Sequence, residues 1–504
     1  MLVVDLNREN FEYDVNALVK AFYPEEQVKV LIPECKDGKN VQIREQIRIR
    51  ICLEEDGAVL EVDGKEFRWS QSDTARVKET DGGYKDGFKR FLYSVLSQIT
   101  GKKLPWGNLT GIRPTKIALT MLEEGKSEQE ILRYYQEKHY VTEEKARLSV
   151  DIAKRERELL SEIGYADGYS QGYSLYIGIP FCPTTCLYCS FTSFPIAAYR
   201  KKVDAYIDCL IREMEYVSRQ YKDRPLDSVY IGGGTPTTLE AVQLDRLLTS
   251  LRTLFDFSNV KEFTVEAGRA DSITEEKLAV LYRQGVTRIS INPQTMKQET
   301  LDIIGRNATV EQVENAYVQA RKMGFDNINM DLILGLPGET QEDVQYTMDR
   351  IMALAPDSLT VHSLAVKRAS RLNQWLQEER DVAGKVIAWM CNTDETMRIA
   401  ADGAKKLGLV PYYLYRQKNM AGNFENVGYA REGKLGLYNV LIMEEKQTII
   451  ALGAGSISKR VYPDGRIERS ENVKEVALYM DKIDEMIERK RKLLVEESFL
   501  LKSV

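Results

Sequence analysis

At 504 residues the chain exceeds what one ordinary hydrophobic core organises, so two or three domains are expected. Its 70 Lys and Arg against 76 Asp and Glu leave a formal charge of −6, which argues against a broad nucleic-acid footprint while allowing a local basic pocket. The opening MLVVDLNREN has too short an apolar run for a signal peptide, and no stretch reaches the ~20 uncharged apolar residues of a membrane span, so a cytoplasmic protein is expected.

Residues 1–165 read as an N-terminal α+β accessory domain. Period-2 patterning in QVKVLIP, VQIREQIRIRICL and GAVLEVDGKEFRW predicts strands, with Asp56-Gly57 and Asp63-Gly64 as turns. Helical spacing takes over at YKDGFKRFLYSVLSQITG and continues through EEKARLSVDIAKRERELL. Between them PWGNLTGIRPTKIA, Pro105 to Ala118, gathers Gly, Pro, Arg and Lys in one loop, either a structured connection between domains or a contact for an anion or partner.

Residues 170–375 have another rhythm. Six short apolar strands, SLYIGI, DSVYIGGG, EFTVEA, TRISIN, NINMDLI and DSLTVHS, alternate with amphipathic helices such as LEAVQLDRLLTSLRTLF and TVEQVENAYVQARKMG. Parallel neighbours need a crossover helix at each return, so six βα units predict an α/β fold with a parallel sheet curled into a partial (β/α)6 barrel. Residues 376–504 read as a mixed, mainly helical C-terminal domain. It holds a helical run in VAGKVIAWMCNTDETMRIAADGAKKLG, a Tyr/Asn-rich stretch, a Gly-rich turn ALGAGSISKR and a last helix VKEVALYMDKIDEMI. The basic ERKRK beyond it reads as solvated surface.

Seven cysteines, an odd number in a long chain, form no disulfide framework. Cys35, Cys52, Cys209 and Cys391 read as small buried apolar residues. Cys182, Cys186 and Cys189 are different, crowded into PFCPTTCLYCSF at the carboxyl end of the first strand of the sheet, the end where parallel α/β proteins bind ligands. A closed zinc site wants four ligands, and His139 and His362 stand elsewhere without a CxxC partner. Thiolates also suit an iron–sulfur cluster, and three of them on four irons leave one iron open. At the other strand ends stand GGGTPT (Gly232 to Thr237), Glu266, Gln294 and Asp331, polar groups at consecutive positions.

The CxxxCxxC spacing with Tyr188 before the last cysteine resembles the signature of radical S-adenosylmethionine enzymes. More narrowly, YIGIPFCPTTCLYCSF, YIGGGTPTTL, FTVEAG, RISINPQTM with ETLDIIGR, and NMDLILGLPGET resemble the oxygen-independent coproporphyrinogen III oxidase family, and the N-terminal domain with PYYLYRQKNMAGNFENVGYA looks like its HemZ branch. The resemblance implies a [4Fe-4S] cluster on Cys182, Cys186 and Cys189, whose open iron takes the methionyl amino and carboxylate groups of S-adenosylmethionine. It places further cofactor contacts on Tyr176, Tyr188, Gly233, Gly234, Thr235, Glu266, Gln294, Arg306, Asp331, Ala365 and Ile457. The implied reaction is oxidative decarboxylation of two coproporphyrinogen III propionates to vinyls, giving protoporphyrinogen IX. The cofactor carries the hard chemistry, and a flavodoxin- or ferredoxin-like protein supplies the electron. Candidates to meet the substrate carboxylates are Arg269, Lys367, Arg368 and Arg371. The chain departs from the family pattern at Gly178, where histidine is common, and at Asn292-Pro293-Gln294 in place of Gly-Val-Gln. It departs again at Ser190-Phe191, where the oxidases have Gly-Cys and the related heme chaperones match this chain. A heme chaperone, or a radical methylase or ring-opening enzyme acting on heme, are the alternatives the resemblance leaves.

Overall fold

Alternating apolar residues in the first seventy positions resolve into one small sheet in the computed structural model, which describes residues 2–24, 26–32, 47–71, 83–165, 170–367, 370–375, 392–417, 420 and 424–495. Strands β1 (Leu2–Leu6), β2 (Val28–Leu31), β3 (Ile47–Leu53), β4 (Gly57–Val62) and β5 (Lys65–Ser70) lie in the order β2-β1-β3-β4-β5. Strand β1 runs parallel to both its neighbours, while β3, β4 and β5 form antiparallel hairpins. The β4–β5 turn at Asp63-Gly64 has positive φ at both residues, as a two-residue hairpin turn requires. Helices Glu12–Phe22 and Tyr84–Thr100 supply Val15, Leu18, Val19, Phe88, Leu92 and Leu96 to a core with Leu2, Val4, Leu6, Ile51 and Leu60.

The chain divides into two compact units, residues 1–151 with 415–425, and residues 152–414 with 426–504. The short returning segment joins the first unit through buried polar groups. Glu425 accepts from Trp106 Nε1 and from Lys145 Nζ, each at 2.7 Å, and Arg416 donates to the Leu109 carbonyl at 2.6 Å while its guanidinium lies over the Trp106 ring. The expected 105–118 loop is shorter, since a helix, Thr115–Glu123, starts within it; residues 105–114 carry a buried anchor at Trp106 and an exposed tip at Ile112.

The second unit is built on an eleven-stranded sheet. In chain order its strands are β6 (Tyr173–Ile179), β9 (Leu226–Gly233), β10 (Glu262–Gly268), β11 (Arg288–Ile291), β12 (Ile328–Leu334), β13 (Ser358–Ser363), β14 (Val410–Tyr415), β15 (Asn426–Ala430), β16 (Thr448–Leu452), β17 (Ile457–Val461) and β18 (Ile467–Glu471); a separate bridge pairs β7 (Phe181–Cys182) with β8 (Phe194–Pro195). The order is β14-β15-β13-β12-β11-β10-β9-β6-β16-β17-β18. The six expected strands are β6 and β9 to β13, side by side in sequence order and all parallel. Helices Val203–Gln220, Ala241–Leu254, Glu275–Arg283, Val310–Met323 and Gln341–Leu354 make the crossovers. Thr309 and Gln312 form a capping box at one start, and Gly324 closes the same helix in the left-handed region. All six strands consequently end on one edge.

The C-terminal part is less helical than its periodicity suggests. Besides four helices among its described residues it adds five strands to the same sheet, β14 and β15 at one edge and β16 to β18 at the other. Aromatic and β-branched runs such as PYYLY and TIIAL favour a pleated surface, and here they find open strands to pair with. The expected last helix is two, Val476–Asp481 and Ile483–Val495, divided at Lys482. Two further expectations fail. Cys52 is exposed on the outward face of β3, and Cys209 is only half-buried; Cys35 and Cys391 lie outside the described residues.

One fully buried ion pair fastens the final helix to the sheet's crossover layer. Lys490 Nζ reaches Glu213 Oε1 at 2.5 Å, and both side chains are within 1% of complete burial. Glu213 also accepts from Tyr479, Asn472 and the Gly453 amide. Removing one member leaves the other charged and unpaired. Lys490→Met should therefore cost about 3–5 kcal/mol of the second unit's stability; urea unfolding followed by tryptophan fluorescence measures it, and a loss near zero would contradict the assignment.

Candidate functional site

The three crowded cysteines sit on a lobe closed at its base by the β7–β8 bridge and by Phe194 N donating to the Pro180 carbonyl at 2.8 Å. Cys186 is buried, and Cys182 and Cys189 are half-buried. Burial pushes both the Cys182 and Cys189 thiols up; Thr235 hydrogen bonding works against this at Cys182, as the Phe191 amide and Ser193 do at Cys189. Among the described residues no three His, Cys, Asp or Glu side chains gather as a single metal ion requires, so the thiols are not drawn to one point.

The lobe is tied on every side. Leu187, between two cysteines, packs with Ile304, Leu336, Leu364 and Leu372, and its backbone donates to the Ile304 carbonyl at 2.9 Å and accepts from Leu372 N at 2.8 Å. Thr184 Oγ1 donates to the Gly305 carbonyl at 2.9 Å. From the β9 end, Gly234 N and Thr235 N donate to the Ile179 and Phe181 carbonyls, and Thr235 Oγ1 lies 3.5 Å from Cys182 Sγ. This approach needs glycine. A Cβ on Gly234 would stand 2.5 Å from the Phe181 carbonyl oxygen, and Gly233 has φ +105°.

Arg269 is a correction. Expected as a substrate contact at the rim, it is buried, bonded to Asp271, to the Thr184 carbonyl and hydroxyl, and 3.6 Å from Cys186 Sγ. Arg306, also buried, donates to the Asn292 carbonyl and, at 3.3 Å, to the Tyr188 hydroxyl. Arg371 is exposed and reaches the Thr185 carbonyl at 3.4 Å, Lys367 is half-buried, and Arg368 lies outside the described residues.

The polar strand ends meet on one face. Tyr176 and Tyr230 are cross-strand partners on β6 and β9, and their rings stack with Tyr438 of helix Leu437–Glu444, the closest pair at 4.5 Å. Tyr230 donates to Glu266, which also accepts from Asn292 Nδ2 at 3.3 Å. Burial raises the Glu266 carboxyl, and the neighbouring Asp331 charge adds to it. Burial would raise Asp331 too, but His362, whose Nε2 lies 3.8 Å away, together with Asn329 and Thr360 holds it below the usual range. Gln294 carries φ 70° on a non-glycine residue and is held there by its amide on the Asp331 carbonyl and its carbonyl on Ile333 N. Ala365 follows β13, half-buried, and Ile457 opens β17 with 42% exposure. Sequence reasoning did not single out Tyr230, Asp271 and Thr184, and it read Asn292 only as a departure from the family pattern. Tyr230 alone had a signal, since it lies two places before Gly232 on the same face of its strand.

Against known proteins, the model of the Radical SAM superfamily matches residues 176–351. A Bacillus subtilis (strain 168) protein, oxygen-independent coproporphyrinogen-III oxidase-like protein HemZ, is 40% identical over 405 residues, which is 80% of this chain and 79% of that one. The chain belongs to the HemZ family of radical SAM proteins. Heme chaperone HemW of the same organism is 36% identical over 208 residues, 41% of this chain and 54% of its own. The oxygen-independent coproporphyrinogen III oxidase of Escherichia coli (strain K12) is 33% identical over 192 residues, 38% and 42% respectively. Likeness to these two is nearly equal, so it separates neither activity from the other.

Membership in the superfamily implies a [4Fe-4S] cluster and S-adenosylmethionine, and the residues present fit both. Cys182, Cys186 and Cys189 on one short lobe offer the thiolate donors that such clusters take. Beside them Gln294 Oε1, Asn292 Oδ1 and Arg306 Nε are buried without a hydrogen-bond partner, and such atoms call for a polar ligand. At Gly178 a Cβ would stand 3.2 Å from the Leu452 carbonyl oxygen of the adjacent β16, a tight approach.

Behind Gln294, Thr295 Oγ1 donates to the buried Glu339 carboxyl at 2.5 Å, and burial raises that carboxyl to about 7. The folded chain thus keeps a proton that the unfolded chain releases near the ordinary value. Stability from this group is present at low pH and lost as pH rises towards about 7, above which the charged form costs about 3 kcal/mol. Glu339→Gln should remove that slope, so the variant gains on the wild type between about pH 5 and about pH 8 in urea unfolding. Parallel pH profiles would refute the role.

Proposed function

We propose that this chain is an oxygen-independent coproporphyrinogen III oxidase, converting two propionates of coproporphyrinogen III to vinyls. The observation that carries the reading is 40% identity to an oxidase-like relative, extending over four-fifths of both chains, together with the three-cysteine lobe at the carboxyl end of β6. In this reading the parallel sheet curls as a partial (β/α)6 barrel. Cys182, Cys186 and Cys189 hold the cluster, and Tyr176, Tyr188, Gly233, Gly234, Thr235, Glu266, Gln294, Arg306, Asp331, Ala365 and Ile457 hold S-adenosylmethionine.

When bound, the two cofactors supply one-electron hydrogen-atom abstraction. Each propionate would give one hydrogen atom from its β-carbon to the bound cofactors and one electron to an external one-electron acceptor, and release CO2, which leaves a vinyl. The chain's own residues orient and shield. Asp331, kept ionised beside His362, offers an acceptor to an ammonium, and Glu266, whose proton is held more tightly, can share one with a ribose hydroxyl. Arg306, with a free buried Nε, suits the methionyl carboxylate. Arg371 and Lys367, the described cations towards the rim, would meet substrate carboxylates. The stacked tyrosines and the apolar packing around Leu187 exclude water.

The decisive experiment is an anaerobic assay of reconstituted protein with coproporphyrinogen III, S-adenosylmethionine and dithionite, read by product mass. The expected product has lost CO2 and two hydrogens per propionate, and Cys186→Ser should yield none because it assembles no cluster. Heme transfer to an acceptor without vinyl product would instead indicate a heme chaperone, the reading that Ser190-Phe191 favours, and a methylated or ring-opened heme would indicate other tetrapyrrole chemistry. Separately, Glu266→Ala should retain iron yet weaken S-adenosylmethionine binding roughly 10- to 100-fold by equilibrium dialysis, the loss of a buried hydrogen bond.

A further inference from the structure

Two buried guanidiniums approach the cysteine lobe, and they are bonded in opposite ways. Arg306 keeps a buried Nε without a partner. Arg269 spends its donors inside the protein. Its Nε and Nη2 form a two-point pair with Asp271 at 3.0 and 2.7 Å, and its Nη1 is shared among the Thr184 carbonyl at 3.0 Å, the Thr184 hydroxyl at 2.8 Å and Cys186 Sγ at 3.6 Å. The side chain is 4% exposed and that of Asp271 13%. A group so enclosed cannot serve a substrate at the rim, which leaves its task to be found in the lobe.

Its position favours one. Arg269 follows β10 directly, and its carbonyl accepts from both the amide and the hydroxyl of Ser272, so the backbone carrying it is fixed by the sheet and by the turn after it. Asp271 then turns the guanidinium so that Nη1 faces the lobe. Thr184 is held from the other side through Gly305. The middle cysteine therefore has its backbone approach and its sulfur set by the same nitrogen. An N–H aimed at a ligating sulfur draws electron density from it and favours the reduced state of a cluster, and a nearby cation acts in the same direction.

We propose that Arg269 is a positioning residue of the three-cysteine lobe: it fixes Thr184 and Cys186 before any cluster is present and, through its hydrogen bond to Cys186 Sγ, raises the reduction potential of the cluster bound there. The second half rests on the cluster assignment made above; the first does not. Asp271 is part of the device, since without it the guanidinium loses its orientation.

The test uses Arg269→Gln and Arg269→Lys in the full chain. In cluster-free protein, hydrogen exchange of the 184–188 amides should accelerate on the order of tenfold in Arg269→Gln, with the first unit unchanged. After anaerobic reconstitution, a mediator titration followed by electron paramagnetic resonance should place its midpoint potential below that of the wild type, with Arg269→Lys, which keeps the charge and one donor, in between. Unchanged exchange overturns the proposal, whether or not the variant takes up iron. So does a wild-type midpoint in an iron-replete Arg269→Gln protein. Accelerated exchange with a failure to assemble the cluster supports the positioning role, and the Arg269→Lys potential then decides the tuning: a midpoint equal to wild type overturns it and a lower one supports it. A wild-type chain that assembles no cluster overturns the earlier functional reading and the tuning with it, and is recognised by its iron and sulfide content alone.

Discussion

A loop carrying three thiols binds a cluster well only if its backbone is held in place beforehand, because otherwise binding must also supply the entropy of ordering the loop. In this chain the holding is done by Leu187. Lying between Cys186 and Cys189, it is drawn into an apolar cluster with Ile304, Leu336, Leu364 and Leu372, and both polar groups of its backbone are satisfied there. Arg269 and Thr235 complete the support from β10 and β9, so the lobe inherits its geometry from strand ends that a parallel sheet already aligns.

The same alignment sets the electrostatics. Glu266 and Asp331 come from β10 and β12 on one face, and two carboxylates enclosed together cannot both ionise freely. The structure divides the charge between them unevenly. His362, on β13 beside β12, pairs with Asp331 and holds it ionised, while burial and the Asp331 charge make Glu266 retain its proton more readily despite the Tyr230 hydrogen bond. One acceptor and one shared proton result, side by side, from residues of the same chemical type. Gln294 stands between them in strand order, and its left-handed backbone is borne by two hydrogen bonds to β12.

What was legible in the sequence follows from the range of the interactions. The six parallel strands, their crossover helices and the cysteine lobe all have local signatures, in alternation, in caps such as Thr309 and Gln312, and in spacing. Even the exposure of Cys52 was legible, since Ile49, Ile51 and Leu53 alternate with it inward on β3. Partners distant in the chain were not. Arg269 at a strand end looks like a rim cation until Thr184, 85 residues earlier, and Asp271 are placed beside it. Likewise nothing within residues 415–425 announces that Glu425 will take a hydrogen bond from Trp106, 319 positions away. The strands of the C-terminal part were obscured because their pairing depends on edges that β13 and β6 supply.

Those late strands also explain how the far end of the chain bears on the site. β16 lies parallel to β6 and carries the turn Gly453–Ser456 to the carboxyl edge, close to the start of the cysteine lobe. A Cβ on Gly453 would come within 2.5 Å of the Gly178 carbonyl oxygen, and that oxygen accepts from Tyr206, whose hydroxyl in turn accepts from Ala454 N. Glu213 takes the Gly453 amide, and Lys490 from the last helix neutralises Glu213. Six buried polar groups thus join the final helix to the strand that leads into Cys182. A buried ion pair is weak evidence for stability, because two apolar residues of equal volume can do as well. Its value here is directional: only a carboxylate in that position can accept from a glycine amide, a tyrosine and an asparagine at once, and so hold the turn in the register that leaves the carboxyl end of β6 fixed.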